Sequence, residues 1–582
     1  MRCRKVKTSN RKSHVIAIAL GLTCMAGSVY AAPHNSLADS DFNTNALVTE
    51  MEPERHIVPK KKSIDLQAER PEPAKVEATA RINSIRYQCN ELDVAPLVAE
   101  LEKDRTHKRW NYNDMQLFAM NVTQLLRDKG YFMAVAYIPP QDFVKKELLV
   151  NVIIGRYGTV NITNESRMID ERGAGLTKAI SSGNVIKKQS MERVLTTMND
   201  IPGMILKADM APGKKPGTAD ISLDIKDLEK QGGYVYIDNY GSKSTGRWRL
   251  GANYHYNNIS RVGDQLEVNY MAGFKNDDGW KRKLNNYMVR YNAPYKNAGT
   301  MVRTSFSRMN YDVGARYGVP NLSGTAESYE FGVSHPMHRT ADHSHWWDVG
   351  YTYRNLTDDY TEYGLDEAKK RVHDFKLELH GFTRNEKGAT SYSVSTDFGN
   401  MNYRKSWMME GFPNRYNTDG GFVKTNGSVY HVQQLDKRWQ LHASVHGQYA
   451  WDNLDSSADF YIGGQSGVRA FPQGEDGGNH GLLGTLEFRY RTGQPEISLA
   501  AFVDAGRIWY TRDKADLSPA FKDVDISDNV RNLAGFGLGI HYVKSRQWMA
   551  KLEWATPIGN HHSNVNGENV HNTWWFRLIR QF

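Results

Sequence analysis

The chain's 582 residues include 49 glycines, 31 tyrosines and 13 tryptophans, and its mean hydropathy of −0.62 is too polar for a bundle of membrane helices. No stretch beyond residue 31 approaches the ~20 apolar residues that a spanning helix needs. The net charge of +9 falls to +3 beyond Ala31, because Arg2, Arg4, Lys5, Lys7, Arg11 and Lys12 precede it and no acidic residue does; a surface so nearly balanced leaves no electrostatic footprint for nucleic acid.

The six basic residues lead into an apolar run from Val15 to Ala26 and the small-residue site Val29-Tyr30-Ala31. That order predicts a cleaved export signal over residues 1–31. A lipoprotein cut before Cys24 is the lesser reading, since Gly21-Leu22-Thr23 lacks a leucine three residues ahead of the cysteine. Cys3 and Cys24 leave with the signal, so Cys89 remains alone and no intramolecular disulfide is expected.

Residues 32–80 are polar, with Pro53, Pro59, Pro71 and Pro73 around Lys60-Lys61-Lys62, and read as a linker. Within it Phe42, Ala46, Leu47, Val48 and Met51 share one face of a short helix, capped near Ser40 or Asp41 and stopped by Pro53. A disordered terminus is the alternative, since so short a helix is marginal in isolation.

Residues 81–155 predict strand Ile82–Tyr87, helix Val94–Leu101, a second helix capped by Asn113 and closed by Gly130, then strands Ala134–Ile138 and Glu147–Ile154. The order recurs over 156–228. A strand at Thr159–Thr163 precedes a helix near Leu176–Ile180, a helix carrying Met191, Val194, Leu195 and Met198, and strands Ile205–Met210 and Asp220–Ile225. Two small α+β domains in tandem are expected.

From residue 229 to 582 the helical period gives way to strict alternation. Trp248, Leu250, Ala252, Tyr254 and Tyr256 oppose Arg247, Arg249, Gly251, Asn253 and His255. Leu266, Val268 and Tyr270, then Trp439, Leu441, Ala443, Val445, Tyr449 and Trp451, then Leu486, Phe488 and Tyr490 repeat the pattern against polar neighbours. A soluble sandwich also alternates, but long strands with Trp and Tyr at their ends suit headgroup depth, and a polar inner face suits a watery lumen. In lipid such a sheet must close. Over the 354 residues from 229 to 582, sixteen strands allow roughly 22 residues each; fourteen or eighteen fit nearly as well. The fold class expected is mainly β, a transmembrane antiparallel barrel behind two α+β units and a short helix with its linker.

Trp574, Phe576, Leu578 and Phe582 share one register, which resembles the closing strand by which outer-membrane proteins are recognised for insertion; Arg580 interrupts it. The order of signal, linker, two small units and barrel resembles the two-partner secretion transporters (TpsB). Asp238-Asn239-Tyr240-Gly241-Ser242-Lys243-Ser244-Thr245-Gly246-Arg247 is similar to the opening of that family's barrel, and Ile201-Pro202-Gly203 to a turn in its second polypeptide-transport-associated (POTRA) domain. Val468-Arg469-Ala470-Phe471 resembles the superfamily's Val-Arg-Gly-aromatic loop motif, with Ala470 where glycine is usual, and Phe502-Val503-Asp504-Ala505-Gly506 resembles its Phe-x-Asp-x-Gly strand motif.

The resemblance implies that a loop near residues 460–480 folds into the barrel and that Val468, Arg469 and Phe471 lock onto Phe502, Asp504 and Gly506, with Arg469 paired to Asp504. It implies that the Phe42–Met51 segment plugs the resting pore. It also implies a secreted TpsA-type exoprotein as partner, an adhesin, haemolysin or contact-dependent growth-inhibition toxin, exported without nucleotide. An extended client is expected at a POTRA sheet edge, Ala134–Ile138 or Ile205–Met210. Outer-membrane lipids and the barrel-assembly machinery are the other partners expected of a monomer. A passive porin and a barrel-assembly insertase are the rival readings.

His335, His338, His343 and His345 gather beside Trp346-Trp347, but no acidic or cysteine partner shows ligand spacing, so a turn between strands is expected rather than a metal site. No Gly-x-Ser-x-Gly elbow, phosphate loop or His-Glu-x-x-His occurs, so neither catalysis nor a cofactor is expected.

Overall fold

The computed structural model describes residues 79–582 except 104, 244, 276–278, 314–321, 360–366, 405–417, 513–528, 545–546 and 565–567. Phe42, Leu47, Val48 and Met51, with the rest of the expected signal, helix and linker, lie outside the described residues.

In the first unit Thr79–Ile82 (β1) pairs with Lys108–Asn111 (β3), while Ser84–Gln88 (β2) runs parallel to Glu147–Ile153 (β5), which Val135–Tyr137 (β4) flanks. Helices Ala95–Glu102 (α1) and Tyr112–Asp128 (α2) bury Val98, Met115, Phe118, Val122 and Leu126 with Ile82, Leu148 and Val150. The α2 cap is Asn111, not Asn113. The Asn111 side chain accepts from Asp114 N at 2.8 Å, and the Asp114 carboxylate accepts from Asn111 N at 3.0 Å. This reciprocal box satisfies two otherwise orphaned helix donors, and Asn113 already lies inside the first turn.

The second unit places Thr218–Asp227 (β8) between parallel Arg156–Asn164 (β6) and antiparallel Met204–Pro212 (β7). Helices Asp170–Thr177 (α3) and Lys188–Asn199 (α4) cover the sheet through Leu176, Val194 and Met198. α3 begins well before the expected Leu176, because Gly173 and Gly175 hide its apolar period.

Sixteen antiparallel strands then close on themselves. They are Gln231–Asp238 (β9), Trp248–Asn257 (β10), Gln265–Lys275 (β11), Lys281–Tyr295 (β12), Thr300–Val313 (β13), Leu322–Arg339 (β14), His343–Asp359 (β15) and Ala368–Arg384 (β16), followed by Gly388–Arg404 (β17), Gly420–Gln434 (β18) and Trp439–Ala450 (β19). After two two-residue strands inside a loop, Phe460–Tyr461 (β20) and Gly477–Gly478 (β21), come His480–Arg491 (β22), Ile497–Trp509 (β23), Val530–Lys544 (β24) and Trp548–Pro557 (β25). A two-residue pair, His562–Ser563 (β26) and Glu568–Asn569 (β27), precedes the last strand, Thr573–Gln581 (β28).

Alternation decides the facing. Leu250, Tyr254, Val268, Val445 and Leu486 stand exposed on the outer wall, whereas Arg249, Asn253, Glu267, Asn269, His442 and Glu487 are buried within. The histidine group sits at the β14–β15 turn, where His338 and His345 face each other with ring centroids 6.0 Å apart. Among the described residues no three metal-ligating side chains gather.

The second unit rests on short turns at one end of the barrel. Arg339 Nε donates to Asp200 Oδ2 at 2.8 Å, Arg172 Nη1 to Asn297 Oδ1 at 2.8 Å and Arg167 Nη2 to Asn257 O at 2.8 Å. Burial in this joint pushes the Asp200 carboxyl above the usual carboxylate range, and the Arg339 guanidinium opposes that rise.

The seam between first and last strands is short: Arg577–Gln581 pairs with Tyr234–Asp238, five residues a side, against sixteen paired positions between β14 and β15. Side chains reinforce it. Asp238 Oδ2 accepts from Arg577 Nη2 at 2.8 Å, Asp238 Oδ1 from Arg249 Nε at 2.8 Å, and Asn239 extends the ladder by donating to Trp574 O at 2.9 Å and accepting from Phe576 N at 2.8 Å. Asp238→Leu strands two buried guanidiniums, a cost of about 3–5 kcal/mol. The temperature at which the unboiled protein loses its compact gel mobility is expected to fall; an unchanged temperature would show the clasp to be idle.

Candidate functional site

Between β19 and β22 the chain turns into the barrel and spans it. On one wall, formed by β16, β17 and β18, Lys370 Nζ and Tyr403 OH both donate to Asp455 Oδ2, at 2.8 and 2.7 Å, and Lys424 Nζ donates to Ala458 O at 3.2 Å. The loop then crosses to the wall formed by β22, β23, β25 and β28, where its tip is held. A cavity of about 560 Å3 remains beside the crossing, between Arg354 of β15, Asp374, Lys376 and Asp397 of the first wall and Tyr461 and Gln473 of the loop.

At the tip Val468, Ala470 and Phe471 are wholly buried with Ile462, Phe502, Ile508 and Leu533. Arg469, only 4% exposed, makes a fork onto Asp504: Nε to Oδ2 at 2.9 Å and Nη2 to Oδ1 at 2.9 Å, with its backbone N–H on Oδ2 at 3.1 Å. Its remaining nitrogen, Nη1, donates to Glu487 and Glu553, each at 2.8 Å. The guanidinium also lies 3.2 Å from the centroid of the Phe502 ring, so one face is covered by π density while its edge is saturated with carboxylates. Arg489 bonds Glu487 at 2.6 Å and Lys551 approaches Glu553 at 3.3 Å, which makes three cations against three anions. Balanced charge and dense hydrogen bonding are what make buried charges tolerable, although the Glu553 Oε2 itself is buried without a partner among the described residues.

The backbone of the tip is also fastened. Trp575 Nε1 donates to Arg469 O at 2.7 Å, and Thr573 Oγ1 donates to Ala470 O at 2.8 Å. Ala470 has no positive φ, so the alanine in place of glycine brings no backbone strain. Its methyl instead uses space on the opposing strand, where a Cβ on Gly535 would stand 2.4 Å from the Ala470 Cβ. Gly506 does the same for Val468, whose Cγ2 would lie 3.2 Å from an added Cβ.

The structure therefore brings Val468, Arg469, Phe471, Phe502, Asp504 and Gly506 together. Sequence reasoning missed Glu487, Glu553, Trp575 and Thr573. Each faces the lumen by alternation, but nothing in the pattern says which lumen-facing groups converge on one arginine.

The two expected edge strands differ. Ala134 and Ile138 bracket β4, whose outer edge is occupied: Ala136 N donates to Thr123 Oγ1 of α2 at 2.9 Å, and Arg127 Nε donates to Ala134 O at 3.2 Å. In β7, which holds Ile205 and Met210, the Leu206 N–H turns away from β8 to Asn199 Oδ1 at 2.7 Å. Alternation turns the N–H groups of Ala208 and Met210 the same way, and they have no partner among the described residues.

Residues 217–542 match the family described as haemolysin secretion/activation protein ShlB/FhaC/HecB, and residues 81–155 match a POTRA domain of ShlB type. The chain belongs to this family. It is 24% identical to the heme/hemopexin transporter protein HuxB of Haemophilus influenzae over 85% of each chain, and 23% identical to the hemolysin transporter protein ShlB of Serratia marcescens over 69% of this chain and 71% of that one. The solved structure of CdiB from Escherichia coli has the same fold, with a TM-score of 0.71 at 18% identity, covering 92% of this chain and 97% of that one. This protein is thus a two-partner secretion transporter of the outer membrane, with its POTRA end in the periplasm. Neither rival reading describes it.

Arg469→Ala leaves Asp504, Glu487 and Glu553 facing one another and is expected to release the tip, as is Gly535→Val, which displaces Ala470 with every charge retained. Protease added outside intact cells should then cut within residues 451–479 while the barrel stays folded. Resistance of both variants equal to that of the unaltered protein would refute a lock at this point.

Proposed function

We propose that this transporter captures one unfolded TpsA-type exoprotein at the open edge of β7, passes it into the lumen and releases it outside, where its folding supplies direction without nucleotide. Family membership carries the export reading. The unpartnered N–H groups of Ala208 and Met210 support capture by strand addition, since an extended chain offers the carbonyls they lack. The Ala134–Ile138 edge is the weaker candidate because α2 already occupies it.

The lock at Arg469 must yield for an extended chain to pass, and the charged wall that the loop faces suits a polypeptide sliding without adhesion. A helix over Asp41–Glu52, bearing Phe42, Leu47, Val48 and Met51, is proposed as the resting plug. For the cargo, the match to the heme/hemopexin transporters runs the full 85% of both chains, against about 70% for ShlB. This favours an exoprotein of the kind those transporters handle over a haemolysin or a contact-dependent growth-inhibition toxin.

Ala208→Pro removes a donor on the open edge without touching the ladder to β8. Secretion of a co-expressed exoprotein should fall sharply while barrel assembly, read by gel mobility, stays normal; undiminished secretion would sink capture at β7. Deleting Asp41–Glu52 should raise conductance in planar bilayers, and an unchanged current would remove the plug.

A further inference from the structure

The outer face of β28 carries Trp574, Phe576, Leu578, Arg580 and Phe582, alternating with the buried Trp575, Arg577 and Ile579. Arg580 therefore carries a half-buried guanidinium among groups that face lipid, its Nη1 buried and without a hydrogen-bond partner among the described residues. It does so at the periplasmic end of the seam, opposite Trp548 on β25 and Val235 on β9. Its Cζ lies 5.1 Å from the centroid of the Trp548 ring. One ladder step nearer the periplasm, the exposed Phe582 ring lies against Gly233, its Cζ 2.9 Å from where a Cβ would stand.

Arg577, three residues earlier, points inward and is consumed by Asp238. Arg580 has no carboxylate partner among the described residues. An unpaired cation on the lipid face is costly at the bilayer midplane and tolerated at headgroup depth, where tryptophan also gathers. The chemistry at that depth able to complete a guanidinium fork is a phosphate diester, most strongly one whose charge no headgroup ammonium offsets.

We propose that Arg580, backed by the Trp548 indole, binds the phosphate of an anionic phospholipid of the periplasmic leaflet at the barrel seam. The bound lipid covers the outside of the five-residue ladder that Asp238 clasps from within. This inference rests on the outer-membrane location and is independent of the cargo and of capture at β7.

The test uses the purified full chain in detergent, with phosphatidylglycerol, phosphatidylcholine or inorganic phosphate added at equal concentration, and reads the melting transition and lipid retention by native mass spectrometry. Phosphatidylglycerol should stabilise the protein beyond phosphatidylcholine, and inorganic phosphate should not. Arg580→Gln should weaken phosphatidylglycerol binding on the order of tenfold, the loss of one charge-assisted contact, while Arg580→Lys retains part of it. Equal shifts from the two lipids, an equal shift from inorganic phosphate, or full retention in Arg580→Gln would overturn the proposal. Equal responses of the unaltered protein to the two lipids overturn it even if Arg580→Gln fails to fold, and Arg580→Lys, which keeps the charge, then reports on the site.

Discussion

Backbone groups in lipid have no water to turn to, and every other feature of this molecule follows from satisfying them. Sixteen strands close, so the last must pair with the first. That joint is brief, and the deficit is met from the lumen side. Asp238 sits in one row with Arg249 and Arg577, and Asn239 imitates a further rung with its side-chain amide. Closure also creates an enclosed lumen, which can hold both a polar wall and a folded-in loop.

The loop is held at both walls by buried charge. Arg469 meets three carboxylates from three different strands, while Asp455 meets Lys370 across the lumen. Such pairs contribute little net stability over an apolar packing, but they are costly to half-break. They therefore make the seat of the loop close to all-or-none. Trp575 joins the loop to the seam: it donates to the Arg469 carbonyl and stacks edge-on against Tyr240, which Arg577 also covers. The seat of the loop and the closing joint of the barrel share one layer of side chains.

The two α+β units differ in edge chemistry. α2 blunts β4 through Thr123, as sheet proteins commonly protect an edge, whereas β7 keeps outward donors on the unit that is itself fastened to three barrel turns. The open edge of β7 is held firmly at the end of the barrel, so its order is set in folding.

Local rules carried much of this into the sequence. Two α+β repeats followed by period-two alternation are dictated by which face each residue shows to lipid, water or core, and that is a nearest-neighbour property. The paired motifs around Arg469 and Asp504 were legible by resemblance, thirty-five residues apart. Glu487, Glu553, Trp575 and Gly535 were not, for they lie on four other stretches of chain that meet only once the sheet has closed with its particular stagger. Asn111 displaced Asn113 as a cap because cap choice depends on where β3 ends, and β3 exists only through its pairing with β1. The sequence by itself determined the membrane, the lumen and the order of domains, since these depend on side-chain period and composition. Tertiary structure alone decided the strand count, the partners of Arg469 and which sheet edge stays open, because each is settled by contacts between residues far apart along the chain.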